Sequence, residues 1–475
     1  MRTTTHILKN TSSLTLALVI QKIIAFAYFT LLAHALGVEK LGLYVFVISF
    51  ATMFGLVVDF GTNHYITREV AKNKSKAQDL FSLVIGFKLL SAALAVLLAL
   101  VIAYMLQYEP SVMMVIYIAL PVMVIESLAL TLYAVLRGFQ KLTYEAISTV
   151  LVHSIILIAG YAVAYTVGSV ALLLVVLLVG HGANVLYALF ILRSRYNIVL
   201  RATILPKKWK KLLPVVLPFA LAAGFAKVYG AFDQIMLSKL SEAVYLGWYA
   251  VAYKLTFAMQ FIPMAFMAAL YPVFSARHKK DKEYVQRLYA ASIGLLVYIG
   301  LPLSVLTVFF APNIIFLVYG DTYSGAILPL QILIASLPFL FINFPIGSLL
   351  NATDHQKKQT INIGIALFIN IILNSLFIIH FDAIGAALAS TLSTVFLSLL
   401  GLFVIRRTLS ISMRKQLSEI HHVIAPLLAL FAMIFLLRAF NIHWVYQLAL
   451  GIVVYMFIFY HSAFGKSIVS IMKQK

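Results

Sequence analysis

Long apolar segments alternate with short polar stretches along the whole chain of 475 residues. A helix needs about 20 consecutive apolar residues to cross the hydrocarbon core of a membrane, and fourteen segments come to about that length. We place them at residues 12–36, 41–64, 80–106, 111–136, 145–166, 168–192, 212–238, 244–273, 288–316, 325–350, 360–380, 383–405, 422–440 and 444–463. The pattern predicts an all-α integral membrane protein with fourteen transmembrane helices.

The basic residues predict how these helices are oriented. With a cytoplasmic N-terminus, 29 of the 36 lysines and arginines lie in inner loops and termini, whereas the outer loops carry only Lys40 and Lys239. Cytoplasmic loops carry the excess of basic residues, so we predict a multi-pass protein of the cell (inner) membrane with both termini in the cytoplasm. The net charge of +21 resides in these loops, so we expect no nucleic-acid partner. The cluster from Lys207 to Lys211 is also suited to bind anionic lipid head groups.

The chain contains an internal repeat. An offset of 205 residues places Leu246, Gly247, Tyr249 and Lys227 on Leu41, Gly42, Tyr44 and Lys22. Further on, residues 140–171 match 357–388 at an offset of 217, which aligns Gly168 with Gly385. Repeats of this kind predict two pseudo-symmetric halves. We expect a six-helix lobe at 1–192, a basic cytoplasmic linker at 193–211, a second lobe at 212–405, and two C-terminal spans within 406–475.

Three lysines lie close to the middle of predicted spans, where a charge is costly. They are Lys22, Lys227 and Lys254, on spans 1, 7 and 8. One interpretation is a cationic, water-filled cavity. The alternative is that each lysine pairs with a buried acid or a carbonyl group in a packed bundle.

Other charged or titratable residues within the spans have structural or coupling interpretations. Lys88 and Glu126 lie at similar depths, which favours an ion pair between them, and Asp59 is placed to pair with Arg68. Candidates for a coupling-ion or proton site are Asp233, Asp59, Glu126 and His153. Asn362, Asn370 and Asn374 share one face of span 11, which favours hydrogen bonds between helices.

The loops offer little for catalysis. The sequence has no cysteine, no spacing typical of metal ligands, no glycine-rich phosphate loop and no paired carboxylates on an outer loop. We therefore expect no enzyme, no catalytic residues, no metal site and no cofactor apart from a possible coupling ion, H⁺ or Na⁺. A membrane glycosyltransferase or polymerase is the remote alternative.

Three ordered groups of residues carry a family resemblance. They are the run 42–61 with Arg68-Glu69, the run 232–237 followed by 247–250, and the run 370–374 followed by 385–387. In this order they resemble the polysaccharide-transporter (Wzx-type O-antigen flippase) family of the multidrug/oligosaccharidyl-lipid/polysaccharide exporter superfamily.

The resemblance implies a flippase that moves a polyprenyl-diphosphate-linked glycan from the cytoplasmic to the outer leaflet by alternating access of two lobes. We expect the protein to be a monomer. It also implies that Lys22, Lys227 and Lys254 meet the diphosphate. Two alternatives are a lipid II-type flippase, which is typified by cavity arginines that this chain lacks, and a cation-coupled multidrug extruder, which normally has twelve spans.

Overall fold

The computed structural model describes residues 2–409, 424–440 and 442–461, without the side chains of residues 2–15, 208, 211, 212, 215, 218, 219 and 459. Part of the predicted inner charge therefore lies outside the described residues: the side chains of Arg2, Lys9, Lys208 and Lys211, and the residues Arg414, Lys415, Lys466, Lys473 and Lys475. Every regular element within the described ranges is a helix.

The helices cover nearly the whole described chain. In order they are α1 (Arg2–Asp59), α2 (Thr62–Lys72), α3 (Ala77–Met105), α4 (Pro110–Gly138), α5 (Leu142–Thr166), α6 (Val170–Tyr196), α7 (Pro206–Leu240), α8 (Ala243–Ala258), α9 (Phe261–Arg277), α10 (Lys282–Tyr319), α11 (Ile327–Ala335), α12 (Leu337–Ala352), α13 (Gln356–Leu409), α14 (Ile424–Ala439) and α15 (Trp444–His461). Short 3₁₀ segments occupy Lys74–Lys76 and Asp321–Ala326.

These helices account for the fourteen predicted spans. Helices α1 and α13 each hold two spans, divided by non-helical backbone at Gly37 (φ 73°) and Asp382 (φ 48°). Helices α8 and α9 form one apolar stretch from 243 to 277, and the segment from 321 to 352 is a pair of helices bent by 42°. By length and composition, eight of the described helical stretches could each cross a membrane, or nine with the bent pair. The predicted all-α membrane fold is confirmed.

The predicted second span is too long at its inner end. Helix α1 ends at Asp59 because Phe60 (φ 37°) and Gly61 (φ 71°) both adopt left-handed backbone conformations. The residues after the break form α2, which buries Thr62, Ile66 and Val70 at four-residue spacing and exposes its charged face. The predicted boundary at residue 64 was wrong because the helix is ended by the backbone conformation of Phe60 and Gly61, which hydropathy alone does not reveal.

The chain divides into two compact units, Met1–Gly247 and Trp248–Lys475. In the first unit, α1 packs against α3, α4, α5 and α7, and α4 packs against α2 and α6. In the second unit, α12 packs against α9, α10 and α13. The predicted lobe boundary within 193–211 stays a prediction.

Small residues form the packing faces of several helices. On α3, Ala95, Ala99 and Ala103 are fully buried, whereas Leu90 and Leu97 on the opposite side are about 60% exposed. Small residues let neighbouring helices approach closely, and the large apolar residues are left to face lipid. On α13, the predicted asparagine contact is confirmed at Asn370, which donates to the Ser393 hydroxyl (3.2 Å) beyond the kink.

Local backbone geometry supports the internal repeat. Three pairs of positions with positive φ are 213 or 214 residues apart: Gln107 and Gly320, Gln140 and Asp354, and Gly168 and Asp382. The Lys141 N–H donates to Leu136 O (3.0 Å) and the His355 N–H donates to Leu350 O (2.8 Å), again 214 residues apart. The predicted offset of 217 is therefore wrong by about three residues. The predicted offset aligned Gly168 with Gly385 because both are glycines. The structural equivalent of Gly168 is Asp382, since an aspartate can also adopt a positive φ.

The part of the repeat that has an offset of 205 residues lies where α1 and α8 cross. Each of the two helices contributes a glycine to this contact. A Cβ atom on Gly42 would lie 2.5 Å from the Ala243 carbonyl oxygen, and one on Gly247 would lie 2.2 Å from the Val38 carbonyl oxygen. Since 38 and 243 are themselves 205 apart, the two contacts are equivalent under the repeat. The Leu-Gly-X-Tyr match thus marks the site where two backbones touch.

Candidate functional site

A charged cluster forms where α1 ends. The cluster consists of Asp59 at the end of α1, Lys88 on α3, Ser127 on α4 and Lys227 on α7. Its two ion pairs join Asp59 Oδ1 to Lys88 Nζ (3.1 Å) and Asp59 Oδ2 to Lys227 Nζ (3.2 Å). Asp59 therefore connects three helices of the first unit through one carboxylate. We call this group the Asp59 cluster.

Lys88 is the internal member of the Asp59 cluster. Its side chain is only 4% exposed. Besides the bond to Asp59, its ammonium donates to Ser127 O (2.8 Å) and to Ser127 Oγ (2.6 Å). The Ser127 hydroxyl in turn donates to Asp59 Oδ1. All three ammonium protons thus have acceptors, as a charge buried in a low-dielectric interior requires.

Lys227 is the accessible member of the cluster. Its side chain is 36% exposed, and its hydrogen bond within the described structure goes to Asp59 Oδ2. An ammonium group has three protons to donate. Lys227 therefore keeps donor capacity for a further acceptor, whereas Lys88 does not.

The Asp59 cluster carries an excess of one positive charge, because two ammonium groups share a single carboxylate. The excess resides on Lys227, since Lys88 is enclosed. A compact ammonium of this kind suits the oxygens of a phosphate group. The arrangement can attract an anion to Lys227 without breaking the Lys88–Asp59 pair.

Glycine and serine contacts bring the helices of the cluster together. A Cβ atom on Gly224 would lie 2.6 Å from Leu56 Cδ2, so α7 approaches α1 closely one turn before the Lys227–Asp59 pair. The Ser91 hydroxyl on α3 lies 3.2 Å from the Val58 carbonyl oxygen at the end of α1. These contacts fix the end of α1 between α3 and α7.

Two predicted pairings are wrong. Lys88 pairs with Asp59 rather than with Glu126, because Glu126 lies about 100° around α4 from Ser127 and its side chain is exposed. Arg68 pairs with Glu69 (2.9 Å) rather than with Asp59, since the break after α1 carries α2 away from the carboxylate. Depth along the helices suggested both pairs, but the facing sides of the helices decide the contacts.

The remaining candidates of the first unit lie elsewhere. Lys22 is exposed on α1. The neighbouring Gln21 amide lies 3.0 Å from His153 Nε2, and His153 Nδ1 donates to Thr149 O (2.8 Å). These bonds suit a neutral imidazole, because the carbonyl oxygen accepts and the Gln21 NH₂ group donates.

The candidate acid of α7 is enclosed. Asp233 is buried at 4% exposure, and the next residue, Gln234, accepts a hydrogen bond from the Ser49 hydroxyl on α1. Lys254 is partly buried on α8 and belongs to the second unit. The Asp59 cluster thus unites three of the predicted residues, namely Asp59, Lys88 and Lys227.

Sequence reasoning missed Ser127, which links Lys88 to Asp59, and Asn63, whose amide lies 3.3 Å from Asp59 Oδ1. Both are small polar residues in or beside apolar spans. Ser127 adjoins Glu126, the residue chosen on depth, so a search for hydroxyl groups at the depth of Lys88 would have found it.

Two units of long apolar helices, with a hydrogen-bonded charge cluster inside the first unit, define a multi-pass membrane protein. Residues 7–278 match the family described as polysaccharide biosynthesis protein, which is more than half of the chain. The chain therefore belongs to this family. Residues 218–376 also match the MatE family. A comparison with curated proteins found no match to the sequence.

Solved structures show the same fold at low sequence identity. The inward closed conformation of the lipid II flippase MurJ aligns with a TM-score of 0.77 at 18% identity, over 94% of this chain and 98% of MurJ. An inward-facing multidrug resistance MATE transporter aligns with a TM-score of 0.67 at 14% identity, over 82% of this chain and 94% of its own. A MOP-superfamily transporter from Pyrococcus furiosus aligns at 0.57 and 15% identity, over 85% and 95%. The chain thus shares the all-α membrane fold of these transporters and flippases.

Proposed function

We propose that this protein moves a polyprenyl-diphosphate-linked oligosaccharide from the cytoplasmic to the outer leaflet of the cell membrane by alternating access. The observation that carries the proposal is Lys227, a partly exposed ammonium group in a cluster with one excess positive charge. The diphosphate is the anionic part of such a lipid, and charge-assisted bonds to phosphate are strong. Membership in the polysaccharide biosynthesis protein family supports this substrate class.

Lys22 and Lys254 complete the proposed set of contacts to the diphosphate. Lys22 is exposed and Lys254 is partly buried. The proposal needs only that each becomes accessible to the head group at some stage of transport. Lys88 is left out of this set, because its three protons are already bound to Asp59 and Ser127.

Coupling to H⁺ or Na⁺ stays a prediction, and Asp59 is the candidate with the clearest physical consequence. A proton on Asp59 would remove the negative charge that holds Lys227, so that both lysines would lose their counter-ion. Lys227 would then be freer to follow the anion. Asp233, Glu126 and His153 remain alternative coupling sites.

An organic cation is disfavoured as substrate, because an excess positive charge repels it at the cluster. A lipid II-type substrate also carries a diphosphate and would use the same ammonium. The Asp59 cluster therefore favours anionic head groups over the substrates of multidrug extruders, and the choice of glycan is left to experiment.

The test measures leaflet translocation of a polyprenyl-diphosphate-linked oligosaccharide in proteoliposomes. For Lys227→Gln we expect the initial rate to fall about tenfold or more, as expected from the loss of a hydrogen bond to a charged group. Lys239→Gln on the same helix is the matched control and should keep the wild-type rate. The proposal fails if Lys227→Gln transports normally while folded, as judged from its thermal midpoint, or if an organic cation is transported and competes instead.

A further inference from the structure

A pocket in the second unit collects nitrogen donors far along the chain from the Asp59 cluster. It has a volume of about 500 Å³ and lies where α9 and α12 end and α10 and α13 begin, at the predicted cytoplasmic ends of these helices. Its polar lining comprises His278, Lys279, Lys282, Gln286, Thr353, His355 and Thr408. Val285, Leu349 and Leu409 add an apolar wall.

The lining of this pocket is cationic. None of the described residues that line it carries a carboxylate. Asp281 nearby accepts the Tyr284 N–H (2.9 Å) as the cap of α10, and Asp354 lies 3.7 Å from Lys279. No described carboxylate pairs with Lys282, the first residue of α10. Lys282 is therefore the lysine of the pocket whose charge is left for a ligand.

Two imidazole rings contribute further polar atoms. The His278 Nδ1 atom donates to Ser275 O (2.9 Å), and its Nε2 atom is buried without a partner among the described residues. The Thr353 hydroxyl donates to Leu349 O (2.8 Å), so it accepts from His355 Nδ1 (3.1 Å). Buried polar atoms nearly always have partners, so His278 Nε2 indicates a group that is bound in use.

We infer that this pocket binds a phosphate group, carried either by an anionic lipid head group or by a soluble phosphate ester. Lysine is a point charge suited to phosphate. Protonated phosphate oxygens can donate to His278 Nε2, and ionised ones can accept from Lys282. The apolar wall of Val285, Leu349 and Leu409 fits the glycerol and first methylene groups of a lipid. The site goes beyond the proposed transport function, because it shares no residue with the Asp59 cluster.

The experiment uses the full-length protein in nanodiscs and measures binding without transport. In one arm, native mass spectrometry counts phosphatidylglycerol retained from nanodiscs of mixed phosphatidylcholine and phosphatidylglycerol. In the other arm, inorganic phosphate is titrated onto the protein in phosphatidylcholine nanodiscs. The variants are Lys282→Gln, Lys282→Arg and, as matched control, Lys280→Gln, which removes an equal charge from the exposed turn just before α10 and outside the pocket.

We expect Lys282→Gln to lower binding about fivefold, which corresponds to the loss of one lysine near anionic groups. The variants Lys282→Arg and Lys280→Gln should keep most of the wild-type binding. An effect in the lipid arm alone identifies a lipid head group, and an effect with inorganic phosphate identifies a soluble phosphate ester. The inference is overturned if neither ligand binds, or if Lys280→Gln weakens binding as much as Lys282→Gln, since that would indicate diffuse attraction.

Discussion

At the scale of single residues, Lys88 and Lys227 share one carboxylate but differ in exposure. Lys88 is 4% exposed with every proton bound, and Lys227 is 36% exposed with a single described bond. Lys227 pairs with an acid, as one interpretation of the span lysines predicted, and the cationic cavity stays a prediction. Lys88 is the packed, paired lysine, and Lys227 is the accessible cation.

Asp59→Asn should destabilise the first unit. The change leaves the buried Lys88 ammonium without a counter-ion, and breaking a buried pair in this way costs about 3–5 kcal/mol. We expect a clearly lower thermal midpoint in detergent. The double variant Asp59→Asn/Lys88→Met should recover much of the loss, because it also removes the buried charge. Equal midpoints for wild type and Asp59→Asn would show that Asp59 does not hold Lys88.

At the scale of helices, glycine decides how closely segments approach. Gly42 and Gly247 stand at equivalent positions of the repeat, each against a backbone carbonyl of the other segment. Carbonyl oxygens of helices are fixed by their own hydrogen bonds and do not move aside. Glycine therefore stands at both positions because a larger side chain would clash there.

Gly42→Ala and Gly247→Ala should each lower stability by about 1–3 kcal/mol or more, the usual cost of overpacking. The matched control is Gly182→Ala on α6, where a Cβ atom would meet nothing within 4 Å. Replacing a helical glycine with alanine in open space should stabilise by about 0.4–1 kcal/mol. The thermal midpoints of the three variants test these expectations. If Gly42→Ala or Gly247→Ala were as stable as Gly182→Ala, the close backbone contact at the crossing of α1 and α8 would be contradicted.

At the scale of the whole molecule, membrane orientation rests on the distribution of basic residues. The described helices agree with the fourteen predicted spans. An even number of spans returns the chain to the side on which it started. The predicted cytoplasmic location of both termini depends on the count of lysines and arginines in the loops.

Single-cysteine labelling can test this orientation, because the chain contains no cysteine of its own. Ser75 is exposed in a predicted inner loop, and Ser111 is exposed at the start of α4, directly after a predicted outer loop. In intact cells, a membrane-impermeant maleimide should label Ser111→Cys and not Ser75→Cys, and cell lysis should expose both. The reverse pattern would invert the topology.

The sequence by itself determined the class of fold. Span length and the side preference of basic residues are properties of the linear chain, so they predicted an all-α membrane protein with fourteen spans. The matching Leu-Gly-X-Tyr sequences at 41–44 and 246–249 also predicted the repeat. They contain Gly42 and Gly247, the two positions where a larger residue would meet a backbone carbonyl.

Only the tertiary structure decided which groups meet. Depth in the membrane placed Lys88 level with Glu126, but the rotation of each helix about its axis brings Ser127 and Asp59 to Lys88 instead. In apolar spans, hydropathy does not separate the side that faces lipid from the side that packs, because both are apolar, as α3 shows with buried alanines and exposed leucines. The backbone break after Asp59, which places its carboxylate between two lysines, depends on φ angles that no hydrophobic pattern records.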